Sequence, residues 1–151
     1  MRAVIQRVSE TSVVIGKQKV ADINQGLLIF LGIEIEDAVE DALWLANKII
    51  QLRIFQDEKG VMNKSITDMD GEIIVVSQFT LHAKTKKGNR PSYIKAARHK
   101  QAIPLYERFK EDLSIAICKE VKSGEFAADM KVSLTNDGPV TLIIDSRNRD
   151  L

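Results

Sequence analysis

Two continuous runs of apolar residues constrain the fold of this chain more than any other feature of its sequence. The first run is GLLIFLGI, residues 26–33, and the second lies in EIIVVSQF, residues 72–79. A strand that is apolar at every position is typical of a sheet that is buried on both faces, as in a parallel sheet. Between the runs, Ala42, Leu45 and Ile49 follow helical spacing. The sequence therefore predicts a right-handed parallel β-α-β unit at the centre of the molecule.

Shorter segments that flank this unit indicate further strands. Residues 2–8, 11–15 and 19–23 precede it, with a hairpin turn in GKQK, and residues 130–135 and 140–145 follow as the last two strands. The predicted fold is a single α/β domain over residues 1–151, with a mixed sheet in the order β-β-β-α-β-α-β-β, helices packed on one side and a second β layer. The second helix is indicated by an apolar stripe at helical spacing: Tyr106, Phe109, Leu113, Ala116, Ile117 and Val121.

Capping and breaking residues predict where the two helices begin and end. Asp37 suits the N-cap of the first helix, with Glu40 three residues later. Pro91 suits the first turn of the second helix, and Pro104 predicts a kink or a restart within it. Gly124 predicts the end of that helix.

The composition indicates a globular protein of the cytoplasm. Of the 151 residues, 44% are hydrophobic and 28% are charged, and no apolar run approaches the roughly 20 residues of a membrane span. The N-terminal segment MRAVIQRVSE lacks the apolar stretch of a secretion signal. The single cysteine, Cys118, excludes an internal disulfide and a multi-cysteine zinc site, and its helical position predicts a buried thiol.

Charge is distributed unevenly along the chain, although the net charge is only +1. Residues 73–106 contain no Asp or Glu. A basic segment of this kind is a candidate surface for anions or nucleic acid, and a solvated loop and helix face explains it equally well. The segment contains these cations and histidines: Lys84, Lys86, Lys87, Arg90, Lys95, Arg98, Lys100, His82 and His99.

The segment SQFTL, residues 77–81, follows the second apolar run, where a parallel strand presents its carboxyl end to ligands. Ser77, Gln78 and Thr80 supply hydroxyl and amide groups, and the backbone supplies N–H groups, which together suit an oxyanion hole. Alternatively, these polar groups only satisfy the hydrogen bonds of a strand end.

His82 is the histidine nearest to this segment. A Thr80–His82 pair would provide a nucleophile and a base. No acid stands nearby in the sequence to orient the ring, so a solvent-facing His82 is expected. The sequence contains no Walker loop, no dinucleotide glycine pattern and no cluster of metal ligands, so neither a metal nor a cofactor is predicted.

A Gly-Pro pair interrupts the last strand-forming stretch, VSLTNDGPVTLIIDS, at residues 132–146. Asn-Asp-Gly suits a hairpin turn. Proline removes a backbone donor and makes a cis peptide accessible. Two interpretations stay open here: an ordinary turn, or a loop that aims two carbonyl groups at a ligand.

The motifs SQFTL, KKGNRPSY and NDGPVTL, in this order, resemble those of the D-aminoacyl-tRNA deacylase family, and MRAVIQRV, GLLIFLGI and LYERF extend the resemblance over the whole chain. The resemblance implies a homodimer with active sites at the subunit interface. Such a dimer hydrolyses the ester of D-aminoacyl-tRNA and of glycyl-tRNA, including glycine mischarged on tRNA-Ala. It further implies that Gly138 and Pro139 form a cis peptide whose carbonyl groups enter the partner's site and exclude L-aminoacyl groups.

The resemblance also implies roles for individual residues. Ser77, Gln78, Phe79 and Thr80 match the active-site motif, in which N–H groups of Phe79 and Thr80 hold the ester carbonyl. The 2′-hydroxyl of the terminal adenosine assists an attacking water. The supporting residues are Arg7, which braces the Gly-Pro loop, Phe126 and Met130, which flank the adenine, and Lys84, Lys86, Lys87 and Arg90, which contact tRNA phosphates.

The chain departs from the family pattern at two positions. Ala127 stands where a glycine is expected, and His82 stands where a tyrosine is frequent. Two other functions are compatible with the residues: a nucleic-acid-binding module without chemistry, and a general esterase that uses Thr80 and His82. The intact SQFTL and NDGPVT motifs favour the deacylase.

Overall fold

The computed structural model describes residues 1–151 and contains eight strands and two helices. The helices are α1, Val39–Ile50, and α2, His99–Ile117, and a 3₁₀ turn at Phe79–His82 follows the sixth strand. Neither helix combines the length and the apolar character that crossing a membrane requires. The strands are β1 Arg2–Ile15, β2 Gln18–Ile23, β3 Gly26–Gly32, β4 Phe55–Gln56, β5 Met62–Lys64, β6 Glu72–Ser77, β7 Lys122–Ser123 and β8 Met130–Asp145.

Six of the strands form one mixed sheet, which confirms the predicted fold class. The order is β2-β1-β3-β6-β7, and β8 pairs with β1. β3 and β6 are parallel, with Leu27 opposite Ile73, as the two apolar runs predict. β2 also contacts β6 and β7, so the sheet curls towards a barrel. β4 and β5 form a second, small sheet.

The core explains why β3 and β6 are apolar throughout. Leu27 and Ile29 of β3 lie in the larger cluster, together with buried residues of both helices. Leu28 lies in a smaller cluster on the other face. Both helices therefore pack on one side of the sheet, as predicted. Each central strand buries side chains on both of its faces, which stabilises it by roughly 1.5–3 kcal/mol for each large aliphatic residue.

The predicted C-terminal hairpin is wrong, because β8 is one strand. It runs beside β1 from the pair Ile15–Met130 to the pair Arg2–Asp145. The register shifts on either side of Val8, so the Asn-Asp-Gly-Pro stretch is a bulge within the strand. Residues 2–15 likewise form one strand rather than two. Because β1 and β8 pair on both sides of the Asn-Asp-Gly-Pro stretch, β8 continues through a segment whose local sequence predicts a turn.

Several predicted helix ends are also wrong. α1 has Ala38 at its N-cap. Asp37 instead contacts the N-terminal amine of Met1 and accepts a hydrogen bond from the Glu34 N–H at 2.7 Å. The Asp37 carboxylate therefore bonds to Met1 and Glu34 rather than to the first N–H groups of α1.

α2 begins at His99 rather than near Pro91, and it runs through Pro104 without restarting. It ends at Ile117, before Gly124, because Cys118 adopts a left-handed conformation with φ of 53°. Cys118 is exposed, which corrects the expectation of a buried thiol. Gly124 serves close packing instead, since a Cβ there would lie 2.2 Å from Met130 Sδ.

Candidate active site

A cavity of about 730 Å³ opens beyond the carboxyl end of β6. Ser77, Gln78 and Phe79 line it from the strand end, and Phe126 and Met130 line it from the segment between β7 and β8. The fold thus brings the first three residues of the SQFTL segment and the expected adenine-flanking residues to one site, and Thr80 lies outside the cavity wall. The loop before α2 and the start of that helix complete the wall with Tyr93, Ala96, Ala97, Arg98, His99 and Lys100.

The backbone of the SQFTL segment is held firmly where β6 ends. The Gln78 N–H donates to the Leu31 carbonyl at 2.8 Å, and the Leu81 N–H donates to the Gln78 carbonyl at 3.2 Å. The N–H groups of Phe79 and Thr80 begin a helical turn and so have no acceptor in a preceding turn. Phe79 belongs to the cavity wall, so its N–H is available to an oxygen of a ligand there, whereas Thr80 does not line the cavity.

The Phe79–His82 turn lies directly on β3 because Gly32 has no side chain. A Cβ at Gly32 would lie 2.9 Å from Leu81 Cβ and 3.0 Å from the Gln78 carbonyl oxygen. From the other side, Arg2 Nη1 donates to the Leu81 carbonyl at 2.9 Å. The position of the turn is therefore set by packing as well as by hydrogen bonds.

His82 is buried, with 5% of its surface exposed, so the expectation of a solvent-facing ring is wrong. Its Nε2 atom has no hydrogen-bond partner, and its Nδ1 atom lies 4.0 Å from Glu34 Oε2. The Thr80 hydroxyl instead accepts a hydrogen bond from Gln78 Nε2. The alternation of an extended strand does not apply here, since the residues form a 3₁₀ turn. No base is thus paired with Thr80.

Phe126 is held by two other aromatic rings. Its centroid lies 5.6 Å from that of His99 and 5.4 Å from that of Tyr106, both in edge-to-face contact. Tyr106 is buried, and its hydroxyl donates to the Val75 carbonyl of β6 at 2.8 Å. Burial raises the pKa of Tyr106, so the hydroxyl stays protonated and remains a donor. The ring of Phe126 is therefore anchored to the strand that carries the SQFTL segment.

The backbone conformation at Ala127 explains why a glycine is expected at this position. Its φ is 63°, a left-handed conformation that costs an L-residue about 1–2 kcal/mol. The departure from the family pattern thus leaves the turn in place at an energetic cost.

Gly138 and Pro139 form a cis peptide and lie exposed, away from the cavity wall of their own chain. Arg7 is buried beneath them, and its Nε donates to the Asp137 carbonyl at 3.1 Å. The Asn136 side chain closes the bulge by accepting from the Val140 N–H at 2.9 Å.

The basic residues fall into two groups. Lys84, Lys86, Lys87 and Arg90 are exposed in the segment between the paired residues Lys84 and Ser92, and none of them lines the cavity. Arg98 and Lys100 do line it, although the sequence indicated them only as members of the acid-free segment. No group of three His, Cys, Asp or Glu side chains is arranged to hold a metal ion.

Comparison with protein families gives a match over most of the chain. The sequence model of the D-Tyr-tRNA(Tyr) deacylase family matches residues 4–145. A D-aminoacyl-tRNA deacylase of Bacteroides fragilis (strain YCH46) is 61% identical over 150 residues, which is 99% of this chain and 100% of the relative. A D-aminoacyl-tRNA deacylase of Flavobacterium johnsoniae is 60% identical with the same coverage.

Two solved structures resemble the whole fold. A structure titled c-Myc DNA Unwinding Element Binding Protein has a TM-score of 0.90 and 39% identity, and the match covers 96% of this chain and 98% of that one. A probable eukaryotic D-amino acid tRNA deacylase has a TM-score of 0.81 over 95% of this chain and 98% of its own. The identity in the second case is 16%, so that likeness concerns the fold alone.

Proposed function

This chain belongs to the D-Tyr-tRNA(Tyr) deacylase family, and from this premise we propose that its cavity hydrolyses D-aminoacyl-tRNA to free D-amino acid and tRNA. The observation that carries the proposal is the placement of Phe79 and Phe126 in one cavity. The first residue supplies a free backbone donor for an ester carbonyl, and the second supplies an anchored ring for the terminal adenine.

The reaction is an ester hydrolysis in which water is the nucleophile. The N–H groups of Phe79 and Thr80 bind the carbonyl oxygen and the negative charge that develops on it. The 2′-hydroxyl of the terminal adenosine assists the attacking water, since the chain places no base at Thr80. The carbonyl carbon gains a bond to the water oxygen, the bond to the ribose oxygen breaks, and the proton of the water passes to that leaving oxygen.

Selection for D-residues is assigned to Gly138 and Pro139 of the partner subunit in a homodimer. The loop is exposed and does not reach the cavity of its own chain, which supports delivery to a second copy. Its carbonyl groups clash with an L side chain and leave a D side chain free, so selection works by exclusion. Glycine has no side chain to exclude, and glycyl-tRNA, including glycine mischarged on tRNA-Ala, is therefore a substrate.

Binding of the tRNA body is assigned to exposed cations near the cavity. Lys84, Lys86, Lys87 and Arg90 contact phosphates, which position a nucleic acid without reading its sequence. Arg98 and Lys100 add positive charge to the cavity wall itself. We expect the activity in the cytoplasm, where aminoacyl-tRNA is used in translation.

A second candidate function is nucleic-acid binding without hydrolysis. It is favoured by the likeness to the protein titled c-Myc DNA Unwinding Element Binding Protein, at 39% identity. The acid-free basic segment would serve such binding equally well.

The experiment that tests the proposal compares matched D-tyrosyl-tRNA and L-tyrosyl-tRNA, with glycyl-tRNA alongside. We expect rapid release of D-tyrosine and glycine, and an intact L ester, measured as amino acid released over time. Equal loss of the D and L esters would refute exclusion by the Gly138-Pro139 loop. Binding of tRNA without any hydrolysis would support the second candidate function.

A further inference from the structure

Two aromatic rings are exposed in the wall of the cavity, and the proposed reaction uses neither side chain. Phe79 is 56% exposed and Tyr93 is 38% exposed, and both line the cavity. Their centroids lie 5.0 Å apart at an interplanar angle of 76°. Edge-to-face contact holds the two rings in a fixed mutual orientation. The pair, called the Phe79–Tyr93 platform below, therefore presents a preformed apolar surface to a ligand.

Backbone hydrogen bonds fix the loop that carries Tyr93 on both sides. Before Tyr93, the Lys84 N–H donates to the Ser92 carbonyl at 2.8 Å, and the Ser92 N–H donates back at 3.0 Å. After it, the Ala97 N–H donates to the carbonyl of Ile33, the residue that follows β3, at 2.9 Å. A ligand that binds to Tyr93 therefore loses little free energy in ordering the loop.

Cations outnumber acids around the platform, since Asp129 is the one acidic residue among those that line the cavity. The pairing of Lys84 with Ser92 brings the start of the basic loop beside Tyr93, and Arg98 and Lys100 lie in the same cavity wall. No acidic residue occurs in the segment 73–106 that contains all of them. Exposed aromatic faces beside cations are the combination that binds unpaired nucleotides of a single strand.

We propose that the Phe79–Tyr93 platform is a second base-binding surface, which stacks the unpaired nucleobase that precedes the terminal adenosine of the tRNA. The inference rests on the proposed function, because it requires the terminal adenosine to lie at Phe126 in the same cavity. Every base has a π face, so the platform accepts any base at this position. From the platform the strand continues towards Lys84 and Arg90, where cations meet its phosphates.

The test compares a long and a short substrate with the variant Tyr93→Ala. D-tyrosyl-tRNA contains the preceding nucleotide, whereas D-tyrosyl adenosine, esterified at the 3′-oxygen, lacks it. We expect Tyr93→Ala to lower kcat/KM for the tRNA by about 5- to 150-fold, the size of one lost base stack, and to leave kcat/KM for the adenosine ester unchanged. A D-tyrosyl dinucleotide ending in adenosine restores the sensitivity to the substitution.

Three further variants separate stacking from other roles. Tyr93→Phe keeps the ring and is expected to behave as the wild type on all substrates. Tyr93→Leu keeps apolar bulk without a planar face and is expected to match Tyr93→Ala. Ile94→Ala is the control, because Ile94 is 69% exposed next to the platform but does not line the cavity.

Each other outcome has a definite meaning. The proposal would be overturned if Tyr93→Ala lowered kcat/KM equally for the tRNA and the adenosine ester, or if it did not lower kcat/KM for the tRNA. A loss that accompanies dissociation in size-exclusion chromatography would assign Tyr93 to a subunit contact and would also overturn it. Failure of the wild type to hydrolyse either ester would instead refute the proposed function.

Discussion

Gly138 shows how a single residue connects the exposed loop to the core. Its φ is 117°, and a Cβ at this position would lie 2.3 Å from Arg7 Nη2. Arg7 cannot retreat easily, because it is buried and its guanidinium donates to the carbonyls of Asp137 and Ile54. Any side chain at 138 must therefore displace the loop.

We predict that Gly138→Ala lowers the free energy of unfolding by about 1–3 kcal/mol, because left-handed strain and the clash with Arg7 act together. The displaced loop also excludes L-residues less well, so the ratio of L-tyrosyl-tRNA to D-tyrosyl-tRNA hydrolysis rises. Urea denaturation measures the first effect, and amino acid release measures the second.

Gly60→Ala is the matched control for this substitution. Gly60 has φ of 77°, and no atom lies within 4 Å of the place that an added Cβ would take, so an alanine there carries the same kind of backbone strain without a clash. We expect a loss of about 1 kcal/mol and unchanged selectivity. Identical behaviour of the two variants would mean that the contact with Arg7 has no role.

At the scale of an element, Asp145 holds the end of β8. Its carboxylate accepts hydrogen bonds from the Arg147 N–H at 2.9 Å and the Asn148 N–H at 3.1 Å, and from Arg2 Nε at 2.9 Å. Burial raises the pKa of this carboxyl, but the backbone hydrogen bonds and Arg2 outweigh burial and lower the pKa below its ordinary value of 3.8. The ionised form is thus favoured in the folded protein.

A carboxyl whose pKa is lowered by folding contributes stability above its unfolded pKa, and this contribution is lost as the pH falls through its folded pKa. We predict that Asp145→Asn lowers the free energy of unfolding at pH 7 by about 1–3 kcal/mol. The difference between wild type and variant should shrink as the pH falls below the ordinary value of 3.8. Urea denaturation at a series of pH values measures it.

Asp22→Asn serves as the comparison, since Asp22 forms an exposed ion pair with Lys19 at 3.2 Å. Surface pairs of this kind contribute about 0–1 kcal/mol, so little change is expected at any pH. A wild-type advantage over Asp145→Asn that stayed constant from neutral pH to strongly acidic pH would contradict the assignment to ionised Asp145.

At the scale of the whole molecule, the cavity and the Gly138-Pro139 loop lie in different places on one chain. Phe126 and the first three residues of the SQFTL segment line the cavity, and Gly138 and Pro139 do not. In the homodimer that we propose, each cavity faces the loop of the other copy. Mixed dimers can test this division of the site.

We predict that dimers of Gly138→Ala with an excess of Phe126→Ala regain selectivity. Phe126→Ala lacks the ring that we propose stacks on the terminal adenine, but it keeps a native loop. Each intact cavity of Gly138→Ala then faces a native loop. Hydrolysis of L-tyrosyl-tRNA should fall as Phe126→Ala is added, while hydrolysis of D-tyrosyl-tRNA persists. Subunits are exchanged by joint refolding, and both esters are assayed.

The control for this experiment mixes Gly138→Ala with an excess of the double variant Gly138→Ala/Phe126→Ala. The double variant supplies no native loop. Hydrolysis of the L ester should then persist. If the L ester were hydrolysed equally in both mixtures, the loop would act within its own chain.

The central β-α-β unit was predictable from sequence because its signal is local. A strand buried on both faces must be apolar at each position, and Leu27, Leu28 and Ile29 show this without reference to any partner. The position of the SQFTL segment at the end of β6 follows from the same signal. Its assignment as an active-site motif, and the roles of Phe126 and Arg7, came from family resemblance and not from periodicity.

Other features depended on contacts between residues far apart in the chain. β8 is continuous across Gly138-Pro139 because β1 pairs with it on both sides of the bulge. His82 is buried because Gly32 lets the turn approach β3 closely, and Arg98 and Lys100 reach the cavity because α2 begins at His99. Local sequence specifies the preference of a segment, whereas its final conformation also depends on the free energy of pairing and packing with distant partners.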